Sequence, residues 1–347
     1  MTQTKQRSMV IDIIKGIAII LVVAGHSGNP DINKYFYWFH MPIFFLVSGY
    51  LFKSSNSLSS LKDQLRKIVS KLLIPYFTFL TIITAIRYLY LVSNSEINIS
   101  QIPKDAALTF FGGTFFPSQY YVVMWFITCM IFTQVIFALF LTLIKNRITI
   151  GVLIFVMYLI AHIESTISMT HKLYIPWAAD VALISVFYFA IGYFVKTRID
   201  YIKTLPVKLF GVITLLLSVI LVVADRYQYI SYNLDLRGRT YNHIFLDFLI
   251  PVIFTTSILL LGSISANIPI LRTILSEFGK TSLIIMYLHV PIKLIIENFY
   301  HSNSVVITLG LLIPYVLSKV FLERVPSMSF LFLGVQSVSI YRKNKVA

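Results

Sequence analysis

Cysteine is almost absent from the chain: Cys129 stands alone, inside an apolar run. A single thiol builds neither a disulfide framework nor a cysteine zinc site within the chain. Charge is scarce as well. Asp, Glu, Lys and Arg supply 12% of the residues, against roughly 25% in soluble domains. Hydrophobic residues supply 57%, and the mean hydropathy is +0.81. These values exclude a water-soluble fold and predict a polytopic membrane protein. Acidic residues are the scarcest charge, 14 against 29 basic ones, for a net charge of +15. The basic residues fall in short runs between apolar segments, which is a topology signal, so no nucleic-acid partner is expected. A secondary reading is attraction to anionic membrane lipid or to an anionic cytosolic ligand. Three catalytic signatures are missing too: a Gly-rich phosphate loop, a Gly-x-Ser-x-Gly elbow and a His-Glu-x-x-His pair. Serine-hydrolase and metalloprotease readings have no support.

What the chain has is long apolar runs. Ten of them approach the ~20 residues that cross a bilayer: 9–27, 35–53, 68–92, 121–144, 148–164, 177–195, 207–224, 243–262, 281–299 and 303–322. The first lacks a small-residue cleavage pattern and is read as a retained helix. With the N-terminus in the cytoplasm, 20 Lys and Arg fall on that side and 6 on the other. The inner set includes Arg198, Lys203, Arg342, Lys343 and Lys345, and the outer set includes Lys172. This bias predicts an all-α bundle of about ten transmembrane helices with both termini cytoplasmic. The chain is read as one integral-membrane domain over 1–347, without an appended soluble domain, in the cell inner (plasma) membrane.

The first run carries three ionisable residues, Asp12, Lys15 and His26. A helix turns by about 100° per residue, so Lys15 and His26 return to within roughly 20° of each other and Asp12 lies about 40° from His26. Along the axis Lys15 and His26 are roughly 16 Å apart. Ionisable groups in a membrane helix usually face a protein interior or a wet cavity. The stripe therefore predicts a polar passage, with Lys15 toward the cytoplasm and His26 toward the outer face. The same spacing also fits a plain i, i+3 pair of Asp12 and Lys15, with His26 as an interfacial residue.

The second run opens Tyr37-Trp38-Phe39-His40-Met41-Pro42 and closes Ser48-Gly49-Tyr50. A short connection makes the first two runs neighbours, which brings His40 near the level of His26. Two histidines at one level suit metal binding or shared proton transfer. No third ligand sits at suitable spacing, so no metal is expected. In the ninth run His289, Lys293 and Glu297 are spaced by four, and Pro291 frees a backbone carbonyl. Segment 93–120 reads in its first part as a solvated connector. Segment 225–242, with Arg237 and Arg239 among tyrosines, reads as a polar ligand surface.

Four motifs then line up: Asp12-x-x-Lys15-Gly16 with Gly25-His26; Trp38-Phe39-His40-x-Pro42-x-Phe44-Phe45-x-x-Ser48-Gly49-Tyr50; Trp125-Phe126; and Phe278-Gly279-Lys280-x-Ser282-Leu283-x-Ile285-x-Tyr287-Leu288-His289-x-Pro291. In that order the chain resembles the membrane acyltransferase-3 family, and most of all its fucose 4-O-acetylase-like or polysaccharide O-acetyltransferase branch. The hallmark is a basic residue, ten intervening residues and a histidine. Many members carry arginine first. Lys15 keeps the charge without the bidentate fork.

The resemblance implies acetyl-CoA as donor at the cytoplasmic side. It implies a hydroxyl of a cell-surface glycan, or of its lipid-linked precursor, as acceptor. A neutral imidazole suits removal of the hydroxyl proton, which gives His26 the general-base role with His40 beside it. Lys15, with Asp12, would attract the pantetheine or phosphate part of the donor. His40, Tyr50 or His289 would supply an oxyanion donor. Trp38 would stack on a sugar face, and Arg237 and Arg239 would contact the acceptor. Glycan-assembly proteins are the expected protein partners. A transporter or flippase for a glycan or lipid-linked intermediate is the alternative. It too would use ten helices and buried charges, but it requires no thioester donor. A non-enzymatic member of a glycan-assembly complex is a third class.

Overall fold

The structure is a computed structural model. It describes residues 3–27, 30–55, 57–113, 115–171, 175–197, 207–241, 243–300 and 302–334. Of the charges counted for topology, Lys172, Arg198, Lys203, Arg342, Lys343 and Lys345 lie outside the described residues. The helices are α1 (Gln3–Gly25), α2 (Pro30–Tyr37), α3 (His40–Leu51), α4 (Leu58–Ser93), α5 (Ile102–Phe111), α6 (Trp125–Leu143), α7 (Arg147–His171), α8 (Val181–Thr197), α9 (Val207–Arg226), α10 (Leu246–Ser265), α11 (Pro269–Lys280), α12 (Ser282–Ile296), α13 (Asn303–Leu317) and α14 (Pro326–Leu333). No strand occurs among the described residues, so the all-α expectation holds.

Among the described residues, seven helical segments are long and apolar enough to cross a membrane, or eight if α11 and α12, bent by 79°, count as one broken span. The expected count of about ten is not reached by this measure. α3, whose 12 residues reach about 18 Å of a ~30 Å hydrocarbon core, is not among the seven. The run read as one helix over 35–53 is in fact two, parted at Trp38 and Phe39. Pro42 accounts for the break. It has no N–H to bond the Trp38 carbonyl and its ring clashes there, so the regular ladder restarts with Ile43 N donating to Phe39 O at 2.9 Å.

The chain forms two compact units, Met1–Lys53 with Ile148–Leu173 and Leu183–Ser282, and Ser54–Arg147 with Tyr174–Ala182 and Leu283–Ala347. In the first unit, α9 is inside-out by the standards of a soluble helix. Leu209, Phe210, Leu216, Val219 and Ile220 are exposed, while Thr214 and Ser218 are buried. Ser218 Oγ meets Ser257 Oγ of α10 at 3.0 Å. Apolar side chains outward and hydroxyls between helices is the arrangement that lipid favours.

Two glycine contacts set the frame around the first apolar run. A Cβ on Gly16 would stand 1.9 Å from Leu275 O, and one on Gly279 would stand 1.7 Å from Asp12 O. α1 and α11 thus touch backbone to backbone. α3 and α8 do the same, since Cβ atoms on Gly49 and Gly192 would each lie 1.9 Å from a carbonyl of the other helix, Phe189 O and Leu46 O.

In the second unit, α4 has 36 residues, about 54 Å and longer than a bilayer core. Ser57 and Ser60 close a capping box at its start. Arg87 near its far end pairs with Asp105 of α5 at 2.7 Å. Segment 93–104, expected as a solvated connector, is exposed and runs through a short 3₁₀ turn into α5.

Candidate active site

α1 ends at Gly25, and His26 follows with its N–H shared between Val22 O and Val23 O, each at 3.2 Å. The ring of His26 meets Tyr37 edge-on, 6.0 Å between centroids. The opposite neighbour of Tyr37 is His40, 4.8 Å away and nearly perpendicular at 87°. Tyr37 therefore contacts both histidines, which the structure brings to one neighbourhood. His40 is 2% exposed, and its Nδ1 lies 2.6 Å from Phe36 O. That carbonyl places the proton on Nδ1, so the neutral ring has its lone pair on Nε2. In that form His40 suits orienting or accepting a hydroxyl proton.

The segment between α9 and α10 folds over this group. Its buried residues alternate, Tyr232, Leu234 and Leu236 inward with Ser231 and Asn233 exposed, the period of an extended chain. A tight hairpin closes it, with Asp235 N to Thr240 O at 3.1 Å and Thr240 N to Asp235 O at 2.9 Å. Asp235 and Arg237 lie within electrostatic reach of Tyr37. Burial raises the Asp235 carboxyl above its ordinary range, partly offset by the Gly238 N–H and by the Arg237 charge. Burial lowers the Arg237 guanidinium, partly offset by Asp235.

Buried polar pairs brace this segment. Asp225 takes Lys34 as an ion pair and accepts the Tyr232 N–H at 3.3 Å. Arg239 Nε faces Glu164 Oε1 at 3.8 Å, and its carbonyl accepts the Ser165 hydroxyl. Arg239 also has a positive φ of 55°, a conformation that costs a non-glycine residue energy and needs such bracing. His162 Nε2 meets Asp247 Oδ2 at 3.1 Å, while its Nδ1 is 2.8 Å from Tyr158 O. Both ring nitrogens are directed at oxygen acceptors, which makes His162 a brace and leaves no nitrogen to take a substrate proton.

Polar atoms in this unit that are shielded from solvent without a hydrogen-bond partner include Trp38 Nε1, Tyr232 Oη, Arg237 Nε and Asp247 Oδ1. Trp38 and Tyr232 are neighbours, with ring centroids 5.1 Å apart. Burial raises the Tyr232 hydroxyl, and the nearby Asp247 charge adds to it. Tyr232 and Asp247 are close enough to serve each other; buried polar groups are nearly always satisfied, so Trp38 Nε1 and Arg237 Nε mark the places for a polar occupant.

Lys15 and Asp12 form an ion pair at 3.2 Å and are each partly exposed. Between them and His26, the same face of α1 presents Ile19 and Val22, at 0% and 1% exposure. The polar stripe is interrupted by packed apolar side chains, and its charged groups stand at the two ends. α1 leads into the histidine group and α3 leads away from it, packed on α1. Tyr50 lies ten residues beyond His40 on α3, about 15 Å along the axis, and so belongs toward the Lys15 end. The structure does not bring Tyr50 to the histidines. His289 falls in the second unit, 1% exposed, with Nδ1 at 2.8 Å from Ile285 O.

The decisive comparison is with protein families. A family model described as an acyltransferase domain, that of the acyltransferase-3 family, matches residues 10–338. The chain belongs to that family. No curated protein and no solved structure matches it. Membership and the apolar helices together make the chain a multi-pass membrane protein and an acyltransferase. Among the described residues, no group of three or more His, Cys, Asp or Glu is placed to hold a metal ion.

Sequence reasoning does not reach Tyr37 or Tyr232 as parts of this site: the Tyr37-Trp38-Phe39-His40 run does not mark Tyr37 as the ring that contacts both histidines.

Proposed function

We propose that this acyltransferase is an O-acetyltransferase of the fucose 4-O-acetylase-like or polysaccharide O-acetyltransferase kind. It moves an acetyl group from cytoplasmic acetyl-CoA to a hydroxyl of a cell-surface glycan or of its lipid-linked precursor. The observation that supports this most is the group His26–Tyr37–His40 at one end of α1, with Lys15 and Asp12 at the other. A plasma-membrane location with cytoplasmic termini puts the lysine end toward the donor. Glycan-assembly proteins are the partners that would deliver the acceptor.

His26 accepts the proton of the sugar hydroxyl as its oxygen attacks the thioester carbonyl. The C–S bond breaks, and the departing CoA thiolate takes that proton back from the imidazolium. His40 holds the hydroxyl beside His26. Trp38 and the orphaned polar atoms line the acceptor side with Arg237, and Arg239 holds the hairpin in place. Lys15 draws the anionic donor to the far end, and its partner Asp12 fixes the lysine's position.

Purified protein in liposomes, supplied with acetyl-CoA and candidate glycans, tests the reading by free CoA and acetylated glycan. Both form with wild type and fall to background with His26→Ala. Equal product from the two proteins contradicts the histidine role. Glycan crossing the membrane without acetyl incorporation favours a transporter.

A further inference from the structure

The hairpin between α9 and α10 carries two arginines two residues apart, and the structure gives them different surroundings. Arg239 faces Glu164, and Lys34 on the neighbouring helix faces Asp225. Among the described residues, no ion pair involves Arg237, and its Nε is shielded from solvent without a hydrogen-bond partner. The Asp235 carboxylate and the neutral Tyr37 hydroxyl lie within its electrostatic reach. Asp235 Oδ1 accepts the Arg237 backbone N–H at 3.0 Å, and its charge acts on the guanidinium without forming an ion pair with it among the described residues.

A guanidinium drawn out of water without a carboxylate or phosphate opposite it costs several kcal/mol by general expectation. Its planar fork matches two oxygens of one anion. Tyr37, which lies within reach of this guanidinium, also touches both His26 and His40. This half-buried guanidinium, without an ion pair among the described residues, is therefore set within electrostatic reach of the ring that contacts both histidines. We infer that the acceptor bears an anionic group, a carboxylate or a phosphate, and that Arg237 binds it. Calling the bound molecule the acceptor rests on the acyl-transfer reading, whereas the anion site itself does not.

Carboxylate and phosphate have different sources, an acidic sugar and the phosphate of a lipid carrier. The test is direct binding to the purified full-length protein, read by tryptophan fluorescence and confirmed by calorimetry. The probes are a uronic-acid tetrasaccharide, the same tetrasaccharide with its carboxyls reduced to alcohols, and a polyprenyl phosphate against its free alcohol. Arg237 makes one anionic member of these pairs bind about 10- to 100-fold tighter than its neutral partner, the range of charge-assisted hydrogen bonds. Preference for the uronate assigns the anion to the sugar, and preference for the phosphate assigns it to the carrier. Arg237→Gln abolishes the preference, and Arg237→Lys keeps part of it. Arg226→Gln, at an exposed arginine at the end of α9, leaves it intact. Equal binding of charged and neutral probes, or a preference that survives in a folded Arg237→Gln protein, overturns the inference. Because the readout is binding, charge-selective binding without acetyl transfer counts against the activity and not against the site.

Discussion

Tyr37 meets His40 edge-on, with ring centroids 4.8 Å apart at 87°. The tyrosine reaches that position because the chain breaks immediately after it, where Pro42 prevents α2 and α3 from joining. The same ring meets His26, with centroids 6.0 Å apart. Both histidines thus contact the last residue of α2.

Replacing that ring should loosen both. Aromatic pairs of this geometry contribute about 0.5–1.5 kcal/mol each. Tyr37→Phe keeps the packing and is expected to change kcat only a few-fold. Tyr37→Ala removes two ring contacts and should lower kcat at least tenfold, with the KM for acetyl-CoA unchanged. Steady-state kinetics on the pair of variants checks this.

The glycine contacts predict a sharp contrast in stability. In Gly279→Ala the new methyl would overlap Asp12 O at 1.7 Å. No side-chain rotation relieves a clash with backbone, so α1 and α11 must part, at a cost of about 1–3 kcal/mol or more. Gly151→Ala, on α7, meets nothing within 4 Å and gains helix propensity of about 1 kcal/mol. Thermal unfolding in detergent should show the first Tm falling by several degrees and the second holding or rising.

His162 and Asp247 predict non-additivity. Asp247 is 0% exposed, so His162→Ala strands a buried carboxylate, and breaking such a pair costs about 3–5 kcal/mol. The double variant with Asp247→Ala should lose less than the sum of the two single losses. Additive losses in the same unfolding assay would show that the two side chains do not act as a pair.

Lys15→Gln is expected to raise the KM for acetyl-CoA while leaving the acceptor KM unchanged, because the lysine stands roughly 16 Å along α1 from His26. A change in acceptor KM instead would move Lys15 to the other end of the reaction.

The helical class was legible because long apolar runs and missing charge leave lipid as the solvent. The meeting of His26 and His40 was legible because few residues join their helices. Tyr37 was not, since a pattern of apolar residues does not reveal that Pro42 breaks the run at Trp38 and Phe39. Gly16 and Gly279 were visible as motif letters, but only packing shows that each presses on the other's helix. The His162–Asp247 pair spans 85 residues, beyond any local spacing rule. Arg237 and Arg239 look alike in the sequence, and only the fold gives Glu164 to one and not the other. The polar stripe on α1 was correct in its end points and wrong in its middle, where Ile19 and Val22 pack.

The most direct test of the account uses sealed vesicles of one orientation, with acetyl-CoA confined to the Lys15 side and the glycan acceptor to the His26 side. Wild type should deposit labelled acetyl groups on the acceptor across the membrane, and His26→Ala, folded to the same Tm, should deposit none. Undiminished transfer by the alanine variant would contradict the account.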